Sequence, residues 1–126
     1  MKLDHINIVT PDLDATIAFF DDILGLKEGP RPSFKFPGAW LYGDAHTPAL
    51  IHLNQGEDTL GATGNIDHVA LKGEDFDGLL EKLTSRGYEY DSRVVPGTGV
   101  RQVCFMAPFG VKIEIDFDPV TPENTD

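Results

Sequence analysis

The chain begins with a short alternation of apolar and polar residues, followed by a longer stretch in which apolar residues recur at helical spacing. The alternation over residues 3–9 predicts a strand. Thr10-Pro11-Asp12 is typical of a helix start, and Gly25 is a typical helix end. Three further strands are predicted at residues 26–36, 39–43 and 49–54, the first of them at a sheet edge because of its prolines. The first half is therefore predicted to be a strand-helix-three-strand unit.

The second half repeats this order, and Asp4-His5 of the first half returns as Asp67-His68. Its pattern predicts a strand at residues 66–72 and a helix at 74–86 that ends at Gly87. Three more strands are predicted at residues 88–95, 100–106 and 111–117. A glycine-rich polar stretch separates the halves. We therefore predict one α+β domain of two tandem βαβββ modules, with module one at 1–56, a linker at 57–64, module two at 65–118 and a loose tail at 119–126.

Strand side chains point alternately to the two faces of a sheet. In the last predicted strand the apolar residues Val111, Ile113, Ile115 and Phe117 share one face, which leaves Glu114 on the other. The same alternation separates the strand histidines of both halves from their apolar neighbours. A sheet with helices on its apolar side would curl into an open cup, and its inner surface would hold His5, His52, His68 and Glu114.

Imidazole and carboxylate donors suit a divalent transition ion such as zinc, nickel, manganese, iron or cobalt, and three nitrogens disfavour calcium and magnesium. One strand histidine alone is more often a structural or surface residue. Four such residues at equivalent places in two repeats favour one metal site. His52 could also be a group that contacts the ligands or the substrate. His46 lies in a loop outside the repeat, and we expect it at the surface.

Charge and cysteine content limit the remaining possibilities. The net charge of −11 argues against nucleic acid or an anionic membrane as a partner. No stretch is apolar for the length of a membrane span, and residues 1–9 do not resemble a secretory signal, so we expect a cytoplasmic location. Cys104, the only cysteine, excludes an intrachain disulfide and a thiolate-rich zinc site, and its apolar neighbours in the sequence favour a buried, inert thiol over a nucleophile.

Four segments resemble the vicinal oxygen chelate superfamily, which contains glyoxalase I, fosfomycin-inactivating thiol transferases, extradiol dioxygenases and bleomycin-resistance proteins. They are Asp4-His5-Ile6-Asn7-Ile8, Phe19-Phe20-Asp21-Asp22-Ile23-Leu24-Gly25-Leu26, Asp67-His68-Val69-Ala70-Leu71 and Ala107-Pro108-Phe109-Gly110-Val111-Lys112-Ile113-Glu114. The resemblance covers residues 3–118 and implies paired βαβββ modules whose eight strands form the cup, commonly in a homodimer.

The resemblance also implies roles for single residues. His5, His68 and Glu114 match the three ligands that many metal-using members share. His52 stands where glyoxalase I has a glutamate, a departure that puts activity on hemithioacetals of glutathione in question. Glu114 could then act alone as the base that moves a substrate proton.

For substrate binding, Arg101 beside Gly97-Thr98-Gly99 is the first choice to anchor an acidic group and Arg93 the second, although either could be a solvated surface arginine. Further candidates for lining the pocket are Asn7, Trp40, Tyr42 and Phe105, with core packing an equal alternative for the last.

The leading hypothesis is a metal-dependent lyase or isomerase of the glyoxalase type that acts on a small oxygenated or thiol-conjugated metabolite. An extradiol-type dioxygenase or a metallothiol transferase with the same ligands is the second. The third is a non-catalytic drug- or metabolite-binding protein of the bleomycin-resistance kind, against which the ligand set weighs.

Overall fold

The computed structural model describes residues 3–44, 47–57, 66 and 68–120. The chain divides into two compact units, unit 1 at Met1–Gly61 and unit 2 at Ala62–Asp126. Each unit contains one four-stranded sheet and one α-helix in the order βαβββ. The predicted α+β class with two βαβββ modules is confirmed. His46, the linker from residue 58 onward and the tail from residue 121 onward fall outside the described residues.

Unit 1 places its first and last strands side by side. Its elements are β1 (Ile6–Thr10), α1 (Leu13–Leu24), β2 (Lys27–Gly29), β3 (Gly38–Tyr42) and β4 (Ile51–Gln55). The sheet order is β1-β4-β3-β2, with β1 parallel to β4 and the other pairs antiparallel. The predicted edge strand β2 is at the edge, and it has only three residues. Pro30 and Pro32 follow it, and neither can donate to a strand ladder.

Unit 2 has the same topology. Its elements are β5 (Val69–Lys72), α2 (Phe76–Ser85), β6 (Asp91–Val94), β7 (Arg101–Met106) and β8 (Lys112–Phe117). The order is β5-β8-β7-β6, again with one parallel pair, β5 with β8, and antiparallel pairs elsewhere. A short 3₁₀ turn, Pro108–Gly110, joins β7 to β8. The last strand of each unit is therefore internal and borders the strand that opens the unit.

Aspartates begin both helices. The Asp12 carboxylate accepts a hydrogen bond from the backbone N–H of Ala15 at 3.0 Å, and the Asp75 carboxylate accepts one from Gly78 at 3.0 Å. Each bond satisfies one of the N–H groups that a helix start leaves without an intrahelical partner. Gly25 ends α1 in the left-handed conformation, at φ 67°, as its position in the sequence predicted.

One face of each sheet forms the core of its unit. In unit 1 the buried strand residues include Ile8, Leu41, Ile51 and Leu53, and α1, whose Phe20 is fully buried, packs against β2, β3 and β4. In unit 2 they are Val103, Phe105, Ile113, Ile115 and Phe117, and Phe76 of α2 meets Phe117 edge to face at 5.3 Å between ring centroids. The opposite face of each sheet carries its polar side chains. Within the described part of the chain, neither helix has the length and apolar character that crossing a membrane requires.

Candidate metal centre

The two histidines of unit 1 lie on adjacent strands. His5 directly precedes β1, His52 is in β4, and their imidazole rings stack with centroids 3.7 Å apart and planes 13° apart. Nδ1 of His5 lies 2.6 Å from Oδ2 of Asp4. A carboxylate on one ring nitrogen fixes the tautomer and leaves the other nitrogen, Nε2, to bind a metal. The Asp4-His5 pair therefore has the arrangement that metal-binding histidines usually show.

The ring of His52 lies between two other rings. Its second face stacks on Trp40 of β3, with centroids 4.0 Å apart and planes 9° apart. Burial and, to a smaller extent, the neighbouring His5 lower the pKa of His52, and Asp4 opposes this shift. A lowered pKa keeps the imidazole neutral, which is the form that binds a metal or accepts a proton.

In unit 2 a histidine faces a carboxylate. Nε2 of His68, just before β5, lies 3.5 Å from Oε1 of Glu114 in β8. The side chain of Glu114 is the more sheltered of the two, at 14 % exposed against 36 % for His68. Ala70 stands opposite Glu114 in the strand register, and its small side chain leaves room for the carboxylate to reach toward His68.

The surroundings of Glu114 shift its pKa upward. Burial, and then hydrogen bonding and charge from Asp116, raise the pKa of Glu114, and the charge on His68 opposes this shift. Nε2 of Gln102 donates to Oε2 of Glu114 at 3.3 Å. The thiol of Cys104 lies 3.9 Å from Oε1, and burial above all raises the pKa of this thiol. The raised pKa keeps Cys104 a neutral thiol near pH 7, and its side chain is half-buried where the sequence predicted a buried one.

The donor set fits a divalent transition ion. With metal-ligand bonds of about 2.1 Å, two ligands of one tetrahedral ion lie about 3.4 Å apart, close to the 3.5 Å between Nε2 of His68 and Oε1 of Glu114. Among the residues that the structure describes, no three His, Cys, Asp or Glu side chains are grouped to hold an ion by themselves. Each unit thus presents a pair of donors, two imidazoles in unit 1 and an imidazole with a carboxylate in unit 2.

Four of the predicted substrate-binding residues share a sheet face with these donors. In unit 1, Trp40 lies opposite His52, Asn7 pairs with His52 in the strand register, and Tyr42 lies two residues beyond Trp40 on the same strand. The hydroxyl of Tyr42 donates to the carbonyl of Pro30 at 2.6 Å. In unit 2, Arg93 pairs with Gln102 across β6 and β7 and contacts Asp91 at 2.5 Å, and this contact raises the pKa of Arg93.

Arg101 and Phe105 lie on the opposite, apolar face. Strand alternation places both with Val103, and Phe105 is only 3 % exposed. The guanidinium of Arg101 lies 4.6 Å from the ring centroid of Phe76 and donates to the carbonyl of Asp118 at 2.9 Å. The structure therefore does not bring these two side chains together with Glu114. The glycines before Arg101 suggested an anchor for a substrate. The strand alternation around Val103 was the sequence signal that places the Arg101 side chain on the core face.

The sequence did not single out a cavity of about 320 Å³ in unit 2. Its lining includes Tyr90, Asp91, Cys104, Met106 and Lys112. Cys104 pairs with Glu114 in the strand register, so the cavity begins beside the carboxylate. Strand alternation places Cys104, Met106 and Lys112 on the same sheet face as Gln102 and Glu114. This alternation was the sequence signal from which the lining of the cavity could have been predicted.

Comparison with known proteins identifies relatives along almost the whole chain. The family model described as Glyoxalase/Bleomycin resistance protein/Dioxygenase superfamily matches residues 2–115. A protein of Geobacillus genomosp. 3 named manganese-dependent 2,3-dihydroxybiphenyl 1,2-dioxygenase is 32 % identical over 97 % of this chain, which spans 38 % of the length of that relative. A probable lactoylglutathione lyase of Synechocystis sp. is 34 % identical over 91 % of this chain and 94 % of its own length.

A solved structure shows the same fold. It is a variant of the genomically encoded fosfomycin resistance protein FosX from Listeria monocytogenes, complexed with Mn(II) and 1S,2S-dihydroxypropylphosphonic acid. It aligns with a TM-score of 0.72 over 98 % of this chain and 95 % of its own, at 20 % sequence identity.

Proposed function

The chain belongs to the Glyoxalase/Bleomycin resistance protein/Dioxygenase superfamily, and we propose that it is a divalent-metal-dependent lyase or isomerase of the glyoxalase type. Its substrate is a small oxygenated or thiol-conjugated metabolite. The observation that carries this proposal is the pair of His68 and Glu114, whose donor atoms lie 3.5 Å apart, spaced as two ligands of one ion. Burial and Asp116 also raise the pKa of Glu114 above its ordinary value. The likeness to lactoylglutathione lyases over nine tenths of the chain supports it.

In this proposal His5, His52, His68 and Glu114 hold one ion of zinc, nickel, manganese, iron or cobalt. The support comes from each unit by itself: the Asp4-supported imidazole and the neutral His52 in unit 1, and the donor spacing in unit 2. When bound, the ion would act as a Lewis acid toward two neighbouring oxygens of the substrate.

Glu114 is the proposed proton carrier. Burial and Asp116 raise the pKa of Glu114 above its ordinary value, and a carboxylate with a raised pKa is a stronger base. Its position beside His68 keeps it close to the substrate oxygens that the proposal places there. Arg93, with Asn7, Trp40 and Tyr42, remains the proposed set of substrate contacts, and Arg101 and Phe105 are left out because they lie on the apolar face.

A ring-cleaving dioxygenase is the second candidate, and the stacking of His52 favours it. The rings of His5 and His52 are nearly parallel, so both can bind one ion only if one of them turns, and Trp40 covers the far face of His52. If His52 stays in the stack, His5, His68 and Glu114 form the two-histidine, one-carboxylate set that is typical of non-haem iron oxygenases. The relative named as a manganese-dependent dioxygenase agrees with this candidate.

One purification and two assays separate the candidates. Protein prepared without chelators and without a nickel column is analysed for bound metals. It is then assayed with hemithioacetals of 2-oxoaldehydes and, in parallel, with catechols while oxygen uptake is recorded. We expect about one ion per chain and turnover in the first assay without oxygen uptake. Oxygen consumption with a catechol would instead support the dioxygenase.

His46→Ala is the matched control, because His46 is the one histidine outside the repeat. We expect it to keep the metal content that His5→Ala and Glu114→Ala lose. Full metal content in those two variants would refute the proposed ligands. We further propose that the protein acts as a homodimer, which light scattering of the purified protein tests.

A further inference from the structure

Gln102 contributes an amide that contacts the carboxylate of Glu114. It lies in β7, and its cross-strand neighbour in β8 is Asp116. Its side chain reaches along the strand to Glu114, where Nε2 donates to Oε2 at 3.3 Å. Gln102 is half-buried and lies on the polar face of its sheet, opposite the core.

The two oxygens of Glu114 have different partners. Oε2 receives the amide N–H of Gln102. Oε1 faces Nε2 of His68 at 3.5 Å and the thiol of Cys104 at 3.9 Å. A carboxylate with one oxygen held in this way cannot rotate freely, so the other oxygen keeps its direction toward His68.

Asp116 acts against this arrangement. It shares a strand face with Glu114 two residues further along β8, and hydrogen bonding and charge from Asp116 contribute to the raised pKa of Glu114. Its Oδ1 is buried and receives no N–H or O–H group from any residue that the structure describes. Two neighbouring carboxylates repel each other unless they share a proton or receive hydrogen bonds from elsewhere. The amide of Gln102 supplies such a bond without adding a positive charge that would compete with a metal ion.

We propose that Gln102 is a positioning residue for Glu114: its amide holds Oε2 and thereby directs Oε1 to the metal ion. This inference rests on the proposed role of Glu114 as a metal ligand. Outer partners of metal ligands typically contribute about 10- to 100-fold to metal affinity. A neutral amide can do so by orientation alone, because it leaves the charge of the carboxylate unchanged.

The test compares Gln102→Met and Gln102→Leu with the wild type in titrations of the metal-free protein with Co²⁺. Both replacements are similar in size to glutamine and remove the N–H donor. We expect Co²⁺ to bind about 10-fold or more weakly in both variants and its visible absorption band to change in position or intensity. Thermal unfolding of the metal-free variants should stay close to that of the wild type, since the contact is on a half-buried face.

Asn54→Leu is the matched control. Asn54 is also an amide on the polar face of its sheet, and it also donates at 3.3 Å, but to Asn7 and not to a ligand candidate. We expect it to keep the Co²⁺ affinity and spectrum of the wild type. Unchanged affinity and spectrum in both Gln102 variants, with or without a loss of thermal stability, would overturn the positioning role. A wild-type protein that binds no Co²⁺ would overturn the proposed metal site itself, so the two failures can be told apart.

Discussion

The two units place their donor pairs at equivalent strand positions and surround them with different chemistry. In unit 1, His5 and His52 form a stack of rings with Trp40, and burial keeps His52 neutral. In unit 2, His68 faces Glu114, which is enclosed by an amide, a thiol and a second carboxylate. The repeated module therefore fixes where the donors lie, and their neighbours decide what each donor can do. In the proposed site, unit 1 contributes imidazole nitrogens, and unit 2 contributes an imidazole and the carboxylate of Glu114, which is also the proposed proton carrier.

Replacing the charged donor should have the largest effect. We expect Glu114→Ala to weaken Mn²⁺ or Co²⁺ binding by more than about 100-fold, beyond the usual effect of changing an outer partner, because it removes both the negative charge and the oxygen nearest His68. Equilibrium dialysis of the metal-free protein measures this. Since Glu114 is also the proposed base, turnover should fall by about 10²- to 10⁴-fold at saturating metal. An unchanged metal affinity in Glu114→Ala would show that the carboxylate does not set the donor pair of unit 2 apart from that of unit 1.

His52→Ala should have a smaller effect on metal affinity, about 10-fold, because unit 1 retains His5 with its supporting Asp4. Trp40, the only tryptophan of the chain, provides an independent measurement, since its ring stacks on His52 at 4.0 Å. Addition of Mn²⁺ or Co²⁺ should quench the fluorescence of Trp40 in the wild type. The quenching should be much weaker in His52→Ala at a metal concentration that saturates both proteins.

If the fluorescence of Trp40 does not respond to saturating metal in the wild type, His52 is not part of the metal site. The two-histidine, one-carboxylate set then remains, and the dioxygenase candidate gains support.

The helix starts should behave alike in the two units, in contrast to the donor pairs. Asp12→Ala and Asp75→Ala each remove one 3.0 Å hydrogen bond to a backbone N–H. Each should lower the free energy of unfolding by about 1 kcal/mol, as measured by urea denaturation of the metal-free protein. A loss of stability in only one of the two variants would show that the equivalence of the two repeats does not extend to their helix caps. Asp14→Ala, in the first turn of α1 without a capping bond to the backbone, serves as a control.

The smallest expected effects are on the pH dependence of stability, and they have opposite signs in the two units. Glu114 has a folded-state pKa above its ordinary 4.5, so its contribution to stability is present below that pH and is lost as the pH rises through the raised value. His52 has a folded-state pKa below its ordinary 6.5, so stability is lost as the pH falls below 6.5 and the unfolded chain takes up the proton.

Urea denaturation of the metal-free protein between pH 4 and 8 measures both effects. Relative to the wild type, Glu114→Gln should gain stability as the pH rises, and His52→Gln should gain stability as it falls. If each variant differs from the wild type by the same free energy of unfolding at all pH values, the folded protein does not shift the pKa of Glu114 or of His52.

Local chemistry was sufficient to predict much of the fold from the sequence. Asp12 and Gly25 are at the two ends of α1 as predicted, and the strand pattern placed Ile113 and Ile115 in the core and Glu114 on the opposite face. The predicted ends of the strands were less accurate than the predicted faces. The predicted strand at 26–36 is reduced to Lys27–Gly29, because alternation in the sequence does not reveal where a partner strand stops pairing.

The sequence by itself determined the repeat, the sheet faces and the residue types that could bind a metal, because strand and helix periodicities follow from backbone geometry and repeat wherever the sequence does. Only the tertiary structure decided that Gln102 contacts Glu114, that Trp40 covers His52 and that Arg101 stacks on Phe76. These contacts join residues far apart in the chain, and they depend on strand register and on helix packing. Neither is fixed until the whole module folds, so no local pattern records which side chains will meet.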